Sequence, residues 1–182
     1  GVSEALTDYS ANPGRGNHAL AEQAANVIRE ARQELADFFG LSNPNRVIFF
    51  QNATMALNQA ILGFPFQRGD HVMTTTYEHN SVRRPLEACV KEKGNKVTYV
   101  SVRDGKFHEE EWSRALRDNT KLIAVTHASN VTGELIPLEA ISQFAKQHHI
   151  PLLVDASQTA GVLPIDMEEM GIDLLAFPGH KS

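Results

Sequence analysis

A single cysteine, Cys89, stands in 182 residues, so no internal disulfide can staple this chain and its stability must come from a buried core. Positive charge is also scarce. The 17 Lys and Arg are outnumbered by 22 Asp and Glu, and the formal net charge of −5 has the wrong sign for a general affinity for nucleic-acid phosphates. No apolar run reaches the roughly 18–20 residues of a membrane-spanning helix, and the opening GVSEALTDYS lacks the basic and apolar blocks of a secretory signal. No G-x-G-x-x-G follows any apolar run, which removes the dinucleotide-binding fingerprint. Internal repeats, low-complexity tracts and interdomain linkers are missing as well. What remains reads as a cytoplasmic globular protein. Its 42% hydrophobic and 21% charged content suits a chain that buries a core, and its length suits one domain.

Apolar spacing then sets the expected elements. Residues 18–39 (HALAEQAANVIREARQELADFF) place Leu20, Ala24, Val27, Ile28, Ala31, Leu35 and Phe38 at helical intervals, with Gly40 where a C-terminal glycine cap belongs. Short apolar runs predict strands over 46–50, 71–75, 96–100, 121–126, 151–154 and 173–177. Helical patterns lie between most of them, near 54–63, 82–93, 108–117 and 138–148. Strands apolar on both faces, alternating with helices, predict an α/β fold, a three-layer α/β/α structure with a mainly parallel sheet.

Ligands of such sheets gather beyond the carboxyl ends of the strands, so the residues that follow each strand are the informative ones. Gln51, Asn52, Ala53 and Thr54 follow the first run and open a helix. Glu78, His79 and Asn80 follow the second. His127, Ser129 and Asn130 come after 121–126, Asp155 and Gln158 after 151–154, and His180 and Lys181 after 173–177. Each group alone would pass as turn residues; together they predict a pocket.

The chemistry of that set is specific. A partly desolvated lysine at a strand end forms a Schiff base with a carbonyl cofactor. An aspartate on a neighbouring strand can keep a pyridine nitrogen protonated, which makes the ring an electron sink. A neutral imidazole such as His79 can stack on that ring. Helix-start N–H groups after Asn52, with the Thr54 hydroxyl, can receive a phosphate. These are the requirements for binding pyridoxal 5'-phosphate.

Two segments, LLVDASQTAG and DLLAFPGHKS, resemble the aspartate and lysine segments of class V aminotransferase-like, fold-type I pyridoxal-phosphate enzymes. Within that group, NPGRGNHALA, FFQNATMALNQAI, TTTYEHNSVRRPL and VTHASNVTGELIPL resemble the cysteine desulfurase family, including its selenocysteine-lyase-like members. The resemblance implies a role for each matching residue. Lys181 corresponds to the Schiff-base lysine, Asp155 to the pyridinium partner and Gln158 to the donor to the cofactor's phenolic oxygen. His79 corresponds to the stacking histidine and proton shuttle. Ala53, Thr54 and His180 correspond to phosphate contacts, and Asn130 to a contact with the substrate carboxylate and the ring. The implied activity removes sulfur or selenium from cysteine to give alanine. The implied assembly is a homodimer that passes sulfur to an acceptor protein. Another class V aminotransferase or β-eliminating lyase is the alternative activity, and an inactive scaffold fragment is the alternative outside enzymes.

Ordinary structural roles stand beside each of these. Asp155 would serve as a helix cap, His79 as a loop histidine, Thr54 as a helix-start residue and Asn130 as a turn former. His18 and His127 suit structural hydrogen bonding as well as substrate contact, His148 and His149 suit a helix end, and Arg15 suits a solvated loop as well as an approach to substrate. Cys89, inside a helical pattern, reads as a small core residue and not as a sulfur-accepting nucleophile. Three features depart from the family. Pro178 replaces a phosphate-binding hydroxyl, Met55 stands where an acidic residue is common, and the family's cysteine loop and carboxylate-binding arginine have no counterpart. Residues 1–182 therefore read as an incomplete cofactor-binding large domain, without the family's opening strand and C-terminal small domain.

Overall fold

The computed structural model describes residues 1–14, 18–102 and 105–181; Arg15 and Ser182 lie outside them. The chain divides into two compact units, Gly1–Ile48 and Phe49–Ser182.

The first unit holds α1 (Val2–Asp8), α2 (Ala19–Phe38) and a 3₁₀ turn over Pro44–Arg46. His18 starts α2 as its N-cap, its Nδ1 accepting the Ala21 N–H at 3.3 Å. Gly40 ends it at φ 66°, a conformation open to glycine, and the Leu41 N–H returns to the Ala36 carbonyl at 2.8 Å. The expected strand over 46–50 does not form. Arg46 is drawn into the 3₁₀ turn, which Asn43 caps through the Asn45 N–H at 2.9 Å. No strand pairs with 47–50 among the described residues, and Ile48, Phe49 and Phe50 remain exposed. An apolar run becomes a strand only where a partner supplies the ladder.

In the second unit, β1 (His71–Thr75), β2 (Lys96–Val100), β3 (Thr120–Thr126), β4 (Leu152–Asp155) and β5 (Leu174–Ala176) form one sheet in the order β2-β1-β3-β4-β5. Every pairing is parallel, as expected. The helices are α3 (Ala53–Leu62), α4 (Asn80–Ala88), α5 (Glu109–Ala115), α6 (Leu138–Gln147) and α7 (Met167–Met170). A π-helical turn, Cys89–Lys93, extends α4 to Gly94. The chain moves one way in the sheet from β1 to β2 and the opposite way from β2 to β3, β4 and β5. Right-handed crossovers therefore put α4 on one face and α5 to α7 on the other.

Strand alternation fills both faces. Val72, Leu122, Ala124 and Leu153 join Leu57 and Ile61 of α3 and Val82 and Leu86 of α4 in one core, where Cys89 is also enclosed. Each large side chain buried in this way contributes about 1.5–3 kcal/mol. The intervening Met73, Ile123, Val125, Leu152 and Val154 are equally buried. Phe107, Trp112 of α5 and Phe144 of α6 form an aromatic cluster with centroids 5.5–5.9 Å apart. The Cys89 thiol is pushed up by burial, away from the reactive thiolate, which agrees with the core role expected of it.

His71 ties three strands together. Its Nδ1 lies 2.8 Å from Thr120 Oγ1 on β3 and its Nε2 lies 2.8 Å from Thr98 Oγ1 on β2. Burial, reinforced by the charges of Arg117 and Lys96, lowers its pKa from 6.5 to about 4. The folded imidazole thus stays neutral where the unfolded one takes up a proton, so stability falls as pH drops from about 6.5 towards 4. Thermal melting at neutral and mildly acidic pH should show this loss, and His71→Gln should shrink the difference between the two melting temperatures. An unchanged difference would assign the acid sensitivity to other groups.

Candidate active site

The strands finish within one residue of each other at their carboxyl ends. Thr75 pairs with Val100, Thr126 with Asp155, and Asp155 with Ala176. The direction of winding reverses between β1 and β3, and this switch point is where an open α/β sheet leaves a crevice. A cavity of about 320 Å³ opens there.

All eight residues singled out from the sequence line this one cavity: Ala53, Thr54, His79, Asn130, Asp155, Gln158, His180 and Lys181. They come from five separate loops or helix starts. Asn52 and Pro178, both noted in the sequence, line it too, as do Ser81, Thr126, Ala128 and Ser157, which were not. The Asn52 signal is a helix-capping type directly before an apolar helical pattern.

Local folding explains each placement. Asn52 caps α3, its Oδ1 accepting the Met55 N–H at 2.9 Å, which leaves the first turn at Ala53 and Thr54 facing the cavity. The helix dipole adds partial positive charge at that end. His79 is the N-cap of α4 and not simply a loop residue. Its Nδ1 accepts the Ser81 N–H at 3.2 Å and lies 2.8 Å from Ser81 Oγ. A ring nitrogen that accepts a backbone N–H carries no proton, so the neutral tautomer holds its hydrogen on Nε2.

Asp155 ends β4 and is 3% exposed. It caps no helix. Its Oδ1 takes the Ser157 N–H at 3.0 Å in a tight turn, and no cation pairs with its carboxyl among the described residues. Gln158, Asn130, His180 and Lys181 are exposed around the mouth, with Pro178 buried behind them.

The remaining histidines go elsewhere. His18 caps α2 in the first unit. His148 ends α6, and its ring lies 4.5 Å from Phe144. The His127 backbone N–H donates to the Asp155 carbonyl at 2.9 Å, yet its side chain lines a second, more apolar cavity beside Ile136 and Leu163. Burial lowers its pKa.

Fold and site together define a doubly wound α/β protein with a polar crevice at its switch point. The family description Aminotransferase class-V matches residues 2–182, and the chain belongs to that family. A probable cysteine desulfurase of Halalkalibacterium halodurans is 33% identical over 188 aligned positions that cover 99% of this chain and 46% of that protein. Cysteine desulfurase IscS of Escherichia coli is 34% identical over 176 residues, 93% of this chain and 43% of that protein. Among solved structures, the apo cysteine desulfurase of Thermococcus onnurineus superposes with a TM-score of 0.89 at 32% identity, over 98% of this chain and 45% of that one. SspA in complex with cysteine gives a TM-score of 0.89 at 34% identity, over 98% of this chain and 52% of that one. The chain spans about half the length of these proteins.

The α3 cap yields a direct test. Asn52→Ala should cost about 1 kcal/mol of stability, the usual worth of an N-cap side chain, whereas Asn52→Asp should retain most of it. Chemical denaturation measures both. Equal losses in the two variants would show that the Asn52 side chain does not cap α3.

Proposed function

We propose that the whole protein is a pyridoxal-phosphate-dependent cysteine desulfurase, with residues 1–182 forming part of its cofactor-binding large domain. The observation that carries this reading is the convergence of eight residues, drawn from distant points of the chain, on one crevice floored by Asp155. Membership of the class V family implies the cofactor, and the relatives named above supply the desulfurase character.

The residues present fit the cofactor. A buried carboxyl with no cation partner is costly, and a protonated ring nitrogen seated against Asp155 would provide the missing counter-charge. Pyridoxal phosphate, when bound, supplies an electron sink for the substrate's α-carbon. Asp155 would keep the ring nitrogen protonated. Ala53 and Thr54, at the head of α3, would hold the phosphate with His180, and Gln158 would donate to the phenolic oxygen. Lys181 would hold the aldehyde carbon. His79, whose Nδ1 accepts the Ser81 N–H, would lie against the ring and move a proton at Nε2. Asn130 would orient the carboxylate of a cysteine substrate. The same reading places the enzyme in the cytoplasm as a homodimer that hands sulfur to an acceptor protein.

Two variants test it. Lys181→Ala should abolish the visible absorbance that the protein acquires with pyridoxal phosphate, and a band that persists would remove Lys181 from its role. Asp155→Asn should retain the cofactor but slow alanine release from cysteine by roughly 10²–10⁴-fold, the scale of a lost electrostatic group at a reacting centre. Near-normal turnover would reduce Asp155 to a turn residue. Formation of a keto acid from the amino donor, with no sulfur released, would favour an aminotransferase instead.

A further inference from the structure

Glu78 has no part in the roles assigned above, yet it lies directly before His79 and is only 6% exposed. Its Oε1 accepts two hydrogen bonds, from Thr75 Oγ1 at 2.6 Å and from the Thr126 backbone N–H at 2.9 Å. Thr75 closes β1 and Thr126 closes β3, the strands on either side of the switch point. Register pairs between β1 and β3 end at Thr74 and Ala124. The Glu78 carboxyl therefore extends the ladder as a side-chain rung, just where the two strands part to form the crevice.

The second oxygen, Oε2, is buried and has no hydrogen-bond partner among the described residues. Neither does any cation pair with this carboxyl among the described residues. The charge that bears on it is the Asp155 carboxyl on β4, of the same sign as an ionised glutamate. The titratable groups on the other neighbouring elements offer no compensation. His79 at the head of α4 is engaged with Ser81, and burial holds His127 after β3 towards its neutral form. An ionised Glu78 would be a second negative charge in an enclosed floor with no counter-ion. Burial, opposed only partly by hydrogen bonds from Thr75 and Thr126 and aided by Asp155, pushes its pKa up to about 8.

We propose that Glu78 is a positioning residue: a neutral carboxylic acid that latches β1 to β3 beneath the crevice and leaves Asp155 as the one negative charge facing the cofactor ring. The part concerning the ring rests on the cofactor reading above; the neutral latch does not. A proton on Glu78 spares Asp155 a like-charged neighbour, so a ring nitrogen meets one well-placed carboxylate and not two competing ones. The latch also holds the Glu78–His79 turn against the end of β3, and so fixes where the His79 imidazole stands.

Glu78→Gln and Glu78→Ala separate the elements of this proposal. Glutamine retains the Oε1 acceptor and the neutral charge; alanine removes the latch. The folded wild type keeps a proton that the unfolded chain releases near its ordinary value of 4.5. The wild type therefore loses stability as pH rises from about 4.5 to about 8, and glutamine has no such proton to lose. Melting of the cofactor-free protein across this range should show the Glu78→Gln melting temperature climbing relative to wild type, then levelling. Titration with pyridoxal phosphate, followed by absorbance, should give Glu78→Gln an affinity close to wild type and Glu78→Ala one about 10-fold weaker, the scale of two lost hydrogen bonds. A melting-temperature difference that stays flat or falls with pH overturns the neutral latch, and so does glutamine weakening the cofactor as much as alanine. If the wild type itself takes up no pyridoxal phosphate, the cofactor reading fails, and the cofactor-free melting curves still decide the latch.

Discussion

The shared parallel register of β1, β3 and β4 is the constraint on which the rest of this structure depends. Thr75, Thr126 and Asp155 end their strands within one residue of the same height because the parallel ladders hold them in register. A slip of one residue would turn Asp155 into the core and bring Val154 to the crevice, since successive side chains point to opposite faces. The apolar faces prevent such a slip. Val72, Leu122, Ala124 and Leu153 pack under α3 and α4, while Met73, Ile123, Val125, Leu152 and Val154 fill the other side. Core packing and site geometry are thus one arrangement seen from two ends.

Polar groups reinforce that register at both ends of the strands. At the amino end, the neutral His71 spans Thr98 and Thr120, joining β2, β1 and β3. At the carboxyl end, Glu78 joins Thr75 to Thr126. Both side chains are ionisable, both are enclosed, and burial drives each towards its neutral form, the histidine down and the glutamate up. Neutral groups can hydrogen-bond within the sheet without the cost of a dry charge. The Asp155 carboxyl, at the end of β4, takes the Ser157 N–H, and no cation pairs with it among the described residues.

Most of the fold was legible because its signals are local. The strand runs at 71–75 and 96–100 match to the residue, the other three shift by a residue or so, and the helices near 54–63 and 138–148 each shift by one. The run at 46–50 failed for a non-local reason: its residues favour a strand, but pairing is decided by a partner elsewhere. The apolar stripe of α2 shows the same limit, for it forms the expected helix while Leu20, Val27 and Phe38 stay exposed.

Sequence by itself determined the alternation of strands and helices, the polar residues at each strand end and the family resemblance those residues carry, since all of these follow from residue type and spacing along the chain. Only the tertiary structure decided which of the polar groups meet. It brought Asn130 and Gln158 to the crevice with Lys181 and turned His127 into a different cavity. It made His79 a helix cap whose hydrogen bond selects its tautomer. Glu78, just after β1, and Asp155, at the end of β4 two strands away, look alike in the sequence. Which donors face each carboxyl is a property of the packed sheet that no single stretch of chain contains: Thr75 and Thr126 meet Glu78, and the Ser157 N–H meets Asp155.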